Sequence, residues 1–387
     1  MSSKIQERES PANGEVVWSE TDLRLMTRAL ELATRGTGLV SPGPLVGCVL
    51  ADESGQIVGE GFYLYEQIKH AETGAIEQAG ARAQGATAYI SLEPHAHHGR
   101  TPPCTDALIS AGVRRVVAPI EDPNPAVSGK GFSHLRSSGV EVQQGLLLRE
   151  AERLNEKYIH FMRTRRPFVH LKVAVSLDGK IATRSGDSRW ITGADARKRV
   201  HQLRHEYDAI LVGAGTLVTD DPLLTDRSGE ARRRPLVRVA LDARLQLSLD
   251  SRVVSSAKET PLLIFASPAA DASKLSALQQ KGVQIVCDNS GGRNLDELLD
   301  ELGRREIQSV LIEGGAAIAG KFLAAGLVNK VTFFVAPMII GGRDAPSAIG
   351  DPGAATIANA WRLRDIEIKR HGEDLEVTGY PSKPGAD

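Results

Sequence analysis

The sequence predicts two α/β domains in tandem, and three observations carry that expectation. The 387 residues amount to two or three domains at roughly 150 residues each. Apolar runs of strand length alternate with segments of helical spacing along the chain. The alternation stops at a basic, proline-marked stretch, Arg163-Thr164-Arg165-Arg166-Pro167, and restarts beyond it. A boundary near Arg165 follows, with domains over 21–165 and 166–387 and largely parallel sheets in both.

Taken in order, residues 1–20 are polar, without an apolar core, and read as a disordered tail rather than a signal peptide. Leu23–Ala33 has helical spacing, Leu45–Leu50 is a strand run, and His70–Ala81 is a helix. Strand Ala88–Leu92, helix Thr105–Ala111, strands Arg115–Ala118 and Val140–Val142 and a long helix Leu146–Met162 complete the first half. The second half reads as strand Val169–Val175, helix Ala194–His205 and strands Ala209–Val212, Val237–Leu241, Leu262–Ala266, Val283–Val286, Val310–Ile312 and Val331–Ala336. Helices fall between most of these strands.

Composition narrows the function. Lys and Arg total 47 against 48 Asp and Glu, which disfavours a protein that works by neutralising a phosphate backbone. Aromatic residues make up only 4%, few for a stacking groove on single-stranded nucleic acid. No apolar run approaches the ~20 residues that cross a bilayer. Cys48, Cys104 and Cys287 are too few and too scattered for a disulfide framework, which suits a reducing cytoplasm.

The first chemical signal is His70-Ala71-Glu72 at a helix start, followed by Ser91–Cys104, SLEPHAHHGRTPPC. A hydrolytic deaminase needs Zn²⁺ held by three protein ligands and a carboxylate that is not a ligand. His70 and Glu72 supply one ligand and that carboxylate. His95 and Cys104 are candidates for the remaining ligands, with His97 and His98 as spares. An isolated His-Ala-Glu is ordinarily a solvated helix turn; three histidines in four residues beside a cysteine favour a metal site.

The second signal is strand, glycine-rich turn, helix start at Val310–Lys321. There the backbone can approach an anion and the first free N–H groups of the helix can bind it. Gly213-Ala214-Gly215 does not complete a dinucleotide fingerprint. Arg204 and Arg227 offer planar forks suited to a phosphate. Glu313, at a strand end, can accept hydrogen bonds, and Trp190 can form an apolar wall.

Both halves resemble the bifunctional deaminase–reductase of riboflavin biosynthesis. In the first half the resemblance rests on SPGPLVGCV (Ser41–Val49), Ser91–Cys104 and Asp122-Pro123-Asn124-Pro125; in the second on SLDGKIA, GDSRWITG, VGAGT, DDPLLTDR and IEGG. It implies a cytidine-deaminase-like domain followed by a dihydrofolate-reductase-like one. It implies zinc ligands His70, His95 and Cys104, the proton shuttle Glu72, and substrate contacts His97 and Arg100. For the reductase it implies NADPH on Ala174, Trp190, Thr216, Asp220 and the run Gly315, Ala316, Ala317, Ile318, Ala319, Gly320 and Lys321. Substrate contacts would be Ser188, Arg204, Leu224, Arg227 and Glu313. Arg244 is a candidate for the 2′-phosphate of the cofactor.

The first half also departs from the family pattern. His95 stands where the family has a Cys ligand, Ala96 where it has a polar residue, Gly43 where it has an Asn, and Tyr63 where it has a His. Imidazole is itself a normal zinc ligand. The resulting expectation is deamination of 2,5-diamino-6-ribosylamino-4(3H)-pyrimidinone 5′-phosphate, then NADPH-dependent reduction of ribosyl to ribityl. The alternative is reduction alone, with the first domain a degenerate scaffold. The expected partner is a small phosphoribosylaminopyrimidine, with no nucleic acid and no membrane, in a cytoplasmic homo-oligomer.

Overall fold

A computed structural model describes residues 17–67, 69–97, 102–125 and 127–383. Its contacts divide the chain into two compact units. The first comprises Met1–Gly36, Leu45–Leu64 and Ile68–Leu154; the second comprises Thr37–Pro44, Tyr65–Gln67 and Asn155–Asp387.

The first unit opens with α1 (Glu20–Thr34), which starts inside the stretch expected to be a tail. The reason is a capping box: Asp22 N donates to Ser19 Oγ at 3.0 Å, and Ser19 N donates back to the Asp22 carboxylate at 3.0 Å. Asp22 also accepts from Tyr89 Oη at 2.7 Å and Arg115 Nη1 at 2.9 Å, which ties the helix start to the sheet.

That sheet contains β1 (Gly47–Ala51), β2 (Ile57–Phe62), β3 (Thr87–Ile90), β4 (Arg115–Ala118) and β5 (Glu141–Gln144), in the order β2-β1-β3-β4-β5. β1 runs antiparallel to both neighbours, and only β3, β4 and β5 are parallel. The largely parallel core expected from the sequence is therefore corrected at this edge. Alternate residues serve opposite faces: Cys48 and Leu50 enter one apolar cluster, Val49 and Ala51 the other. Helices α2 (Ala71–Ala79), α3 (Cys104–Ser110), α4 (Lys130–Ser137) and α5 (Leu148–Leu154) complete the unit.

β2 was not anticipated because Gly59 and Gly61 dilute its strand signal. Those glycines let α2 lie directly on the strand. A Cβ on Gly61 would stand 2.1 Å from the Ala71 carbonyl oxygen, and one on Gly59 2.1 Å from that of Ala75.

The expected long helix Leu146–Met162 is two helices, parted at Asn155, and α6 (Glu156–Thr164) belongs to the second unit. Glu156 accepts from Lys330 Nζ at 2.8 Å and Tyr380 Oη at 2.6 Å, and Lys157 Nζ donates to the Glu206 carbonyl at 2.6 Å. These bonds tie α6 to the second unit.

The second unit continues with β6 (Phe168–Ser176), α7 (Ala194–Glu206), β7 (Ala209–Gly213), α8 (Ala214–Asp220), β8 (Val237–Leu241), α9 (Arg252–Ser255), β9 (Leu262–Ala266) and α10 (Ala272–Gln280). It ends with β10 (Gln284–Cys287), α11 (Leu295–Arg304), β11 (Ser309–Ile312), α12 (Ala316–Ala324), β12 (Lys330–Ala336), β13 (Arg362–His371) and β14 (Asp374–Ser382). The sheet order is β10-β9-β8-β7-β11-β6-β12-β14-β13. Seven strands from β10 to β12 are parallel, and the antiparallel β13–β14 hairpin extends one edge. Because β11 returns between β6 and β7, the turns leaving their carboxyl ends open a crevice there, the usual place for a ligand in such sheets.

Candidate functional site

In the first unit, α2 and α3 present their first residues to the loop that follows β3. His70 is the N-cap of α2, Cys104 is the first residue of α3, and His95 lies in that loop. One ligand atom from each lies within 4.8 Å of the others. The His70 and His95 ring centroids are 4.6 Å apart, and the Tyr63 ring lies tilted against His70 at 5.0 Å. His97 is exposed, its ring edge-on to His95 at 5.3 Å. Arg100 and His98 lie outside the described residues.

The electrostatics of the cluster fit a cation. Burial pushes the Cys104 thiol well up, and the Glu72 carboxylate beside it adds to that effect. Burial lowers His95 to about 4, with His70 and His97 contributing. One cysteine sulfur and two imidazole nitrogens are donors that zinc takes, and a cation bound among them would hold Cys104 as the thiolate that burial otherwise disfavours. Glu72 is buried, and its Oε2 has no hydrogen-bond partner. An orphaned carboxylate oxygen beside three converging donors is a group held ready for something that binds there.

Glu93, not singled out in the sequence, holds the neighbouring loop. Its buried carboxylate accepts from the backbone N–H groups of Asp122 (3.0 Å), Gly129 (2.9 Å), Gly131 (2.9 Å) and Phe132 (3.2 Å). The Asp122-Pro123-Asn124-Pro125 turn is thereby tied to the strand that leads to His95. The signal was present in the Leu-Glu-Pro triplet, but nothing local marked its acceptor role.

In the second unit, Arg204 on α7 meets Glu313 just past β11. Nε donates at 2.7 Å and Nη2 at 2.9 Å, and Nη1 donates to the Thr225 carbonyl at 3.0 Å. Lys172 Nζ is 3.8 Å from Glu313. Arg204 is thus not the open fork that the sequence suggested; both its carboxylate-facing arms are engaged. The Thr225 bond fixes the adjoining segment, where Leu224 is buried with φ +53° and Arg227 is exposed.

Around the same crevice, Gly315 caps α12 with φ +69°, and no side chain caps that helix. A Cβ on Gly314 would meet Val212 Cγ1 at 3.0 Å and Thr216 Oγ1 at 3.1 Å. The glycine pair therefore leaves bare backbone facing α8, which carries Thr216 and Asp220, while Ala316–Lys321 form the first turns of α12. This cradle fits a phosphate-bearing cofactor. Ala174 is half-buried on β6, paired with Phe334. Ser188 and Trp190 sit in the loop before α7, which Arg189 ties to α8 through a hydrogen bond to the Asp220 carbonyl. Trp190 is 68% exposed, with the Arg197 guanidinium 4.6 Å from its ring centroid. Such an apolar face, open to solvent and backed by a cation, is suited to a flat ligand.

Comparison with known proteins bears on these two sites. Residues 167–377 match the RibD C-terminal domain, and residues 19–119 match the cytidine and deoxycytidylate deaminase zinc-binding region. Riboflavin biosynthesis protein RibD of Actinobacillus pleuropneumoniae is 43% identical over 92% of this chain and 94% of its own. The chain belongs to the RibD family. RibD of Bacillus amyloliquefaciens is 42% identical over 94% of this chain and 96% of its own. Among solved structures, Acinetobacter baumannii RibD superposes with a TM-score of 0.83 at 34% identity, covering 94% of this chain and 99% of that one. A Thermotoga maritima diaminohydroxyphosphoribosylaminopyrimidine deaminase/5-amino-6-(5-phosphoribosylamino)uracil reductase gives a TM-score of 0.81 at 37% identity over the same shares. The protein is accordingly a bifunctional riboflavin-biosynthesis enzyme with a zinc-type deaminase region and an NADPH-dependent reductase region. No helix among the described residues is long and apolar enough to cross a membrane.

Proposed function

We propose that the first unit replaces the 2-amino group of 2,5-diamino-6-ribosylamino-4(3H)-pyrimidinone 5′-phosphate by oxygen from water, releasing ammonia, and that the second reduces the ribosyl chain to ribityl. The observation that carries the first step is the unpartnered, buried Glu72 Oε2 beside the three converging donors. His70, His95 and Cys104 would hold zinc, which supplies a Lewis acid that makes water acidic enough to attack near neutral pH. Glu72 takes a proton from water at Oε2 and returns one to the departing amino nitrogen. His97 and Arg100 are assigned to the pyrimidine and its substituents.

NADPH, when bound in the second unit, would supply the hydride for C1′ of the ring-opened imine, whose nitrogen would take up a proton. The chain orients and shields. Gly315 to Lys321, Thr216 and Asp220 would hold the cofactor, and Ala174 and Trp190 would line its path. Glu313, fixed by Arg204, accepts hydrogen bonds from the substrate. Ser188, Leu224 and Arg227 flank the ribosyl phosphate. Running the reaction in ¹⁸O-labelled water with NADPH tests both halves. One labelled oxygen and two added hydrogens in the product are expected, and a reduced product without labelled oxygen would point to reduction alone.

The assembly is proposed to be a homo-oligomer, supported by the exposed edge strand β13, where Ile366 and Ile368 face solvent. Cys48, Cys104 and Cys287 form no disulfide with one another, which supports a cytoplasmic setting. The balanced charge supports a small-molecule substrate over nucleic acid. Sedimentation of the purified protein tests the first of these.

A further inference from the structure

Within the reductase unit one ring nitrogen is buried without a partner. His201 lies on α7 three residues before Arg204, so the two side chains share a helix face. Its Nδ1 is buried and has no hydrogen-bond partner. The residue as a whole is only half-buried, which puts Nε2 on the open side of the ring. The charged groups acting on it are Arg204, Arg227, Glu313 and Asp226. Neither the sequence pattern nor the family resemblance gives this histidine a role.

Its surroundings select one form of the ring. A proton at Nδ1 would bury an N–H without an acceptor, a cost of about 1–3 kcal/mol. Burial, then the Arg204 and Arg227 charges, lowers the pKa of the imidazole, and Glu313 and Asp226 only partly oppose them. The lowered pKa favours the neutral ring, which in its Nε2–H tautomer offers a single donor on the open side. Glu313 compensates the charge of Arg204 through two hydrogen bonds. Among the described residues, the exposed Arg227 has no carboxylate partner and is the nearby cation free to attract an anion.

We propose that His201 is a substrate-contact residue of the reductase site, its Nε2–H donating a hydrogen bond to a phosphate-monoester oxygen of the substrate beside Arg227. The proposal rests on reading this crevice as the ribosyl-phosphate site. No bond is made or broken at His201; it selects and orients the phosphate end, so its effect falls on substrate binding.

The test uses the full-length protein with NADPH and the deaminated pyrimidine substrate. His201→Leu removes the donor, and His201→Gln keeps an amide N–H at similar reach. H201L is expected to raise KM for the pyrimidine about tenfold or more, the loss of one hydrogen bond to a charged acceptor. The kcat and the KM for NADPH stay near wild type, and H201Q restores substrate KM. In the wild-type protein, ¹⁵N spectra should show the Nε2–H tautomer at His201, with its resonances moving as inorganic phosphate is added. If R227A raises the substrate KM and H201L does not, the assignment of His201 is overturned and the pocket reading stands. If neither variant changes KM, both fail. Should H201L not fold, the phosphate titration decides: unmoved His201 resonances overturn the proposal.

Discussion

Arg204 grips Glu313 through two parallel hydrogen bonds of 2.7 and 2.9 Å, joining α7 to the end of β11 across 109 positions of sequence. Both side chains are largely withdrawn from water. Burial alone would raise the Glu313 carboxyl, but Arg204 and Lys172 outweigh it and hold the group well below the usual carboxylate range. A residue fixed and charged in this way can accept hydrogen bonds from a substrate without reorganising.

Glu313→Gln should therefore remove reductase activity and destabilise the second unit by about 3–5 kcal/mol, because two buried cations lose their counter-charge. The pH dependence has a definite sign. The folded pKa is depressed, so the stabilisation is fully present above the unfolded carboxyl value of about 4.3 and is lost as pH falls below it toward the folded value. Denaturant midpoints of wild type and E313Q should differ widely at neutral pH and converge in acid.

Metal retention separates the roles of the deaminase residues. His95→Ala should lose zinc, and His95→Cys should keep it, since either imidazole or thiolate completes a three-ligand set. Glu72→Gln should keep zinc while ammonia release falls by about 10²–10⁴-fold. Metal analysis beside the ammonia assay reads both.

Glu93→Ala would leave four backbone N–H groups, those of Asp122, Gly129, Gly131 and Phe132, without their acceptor. A loss of at least about 3 kcal/mol is expected, given 1–3 kcal/mol for each buried donor left unmade. Ammonia release should fall with it while NADPH oxidation is spared, which activity measurements on the pre-deaminated substrate can show.

Gly315→Ala places a Cβ on a residue at φ +69° and ψ 125°, outside the left-handed helical well, costing about 1–3 kcal/mol of backbone strain. Gly314→Val adds bulk where even a Cβ meets Val212 and Thr216 at 3.0 and 3.1 Å. Both should raise the KM for NADPH about tenfold or more, and leave ammonia release unchanged.

The parts of the protein legible in its sequence were those whose signals are local. His70-Ala71-Glu72 places a ligand at the N-cap of α2 and a carboxylate two residues on, inside its first turn, and Val310–Lys321 reads directly as strand, turn and helix. β2 escaped because Gly59 and Gly61 serve the approach of α2 rather than strand propensity. The hairpin β13–β14 escaped because β13 is charged and exposed on most of its length. The engagement of Arg204 with Glu313, the anchoring by Glu93 and the placement of His201 depend on residues far apart in sequence. Their types were visible; their partners were set only by the packing of helices on the two sheets.

One chain carries two separate chemistries, a metal-dependent one in the first unit and a metal-independent one in the second. The most direct measurement follows ammonia release and NADPH oxidation separately, on the diaminopyrimidine and on its deaminated product, before and after zinc is stripped with a chelator. Stripping should abolish ammonia release and restored zinc should recover it, while oxidation of NADPH with the deaminated substrate stays unchanged throughout. Ammonia release that survives complete removal of the metal, or a zinc-loaded protein that releases none, would rule out a zinc-dependent deaminase in the first unit.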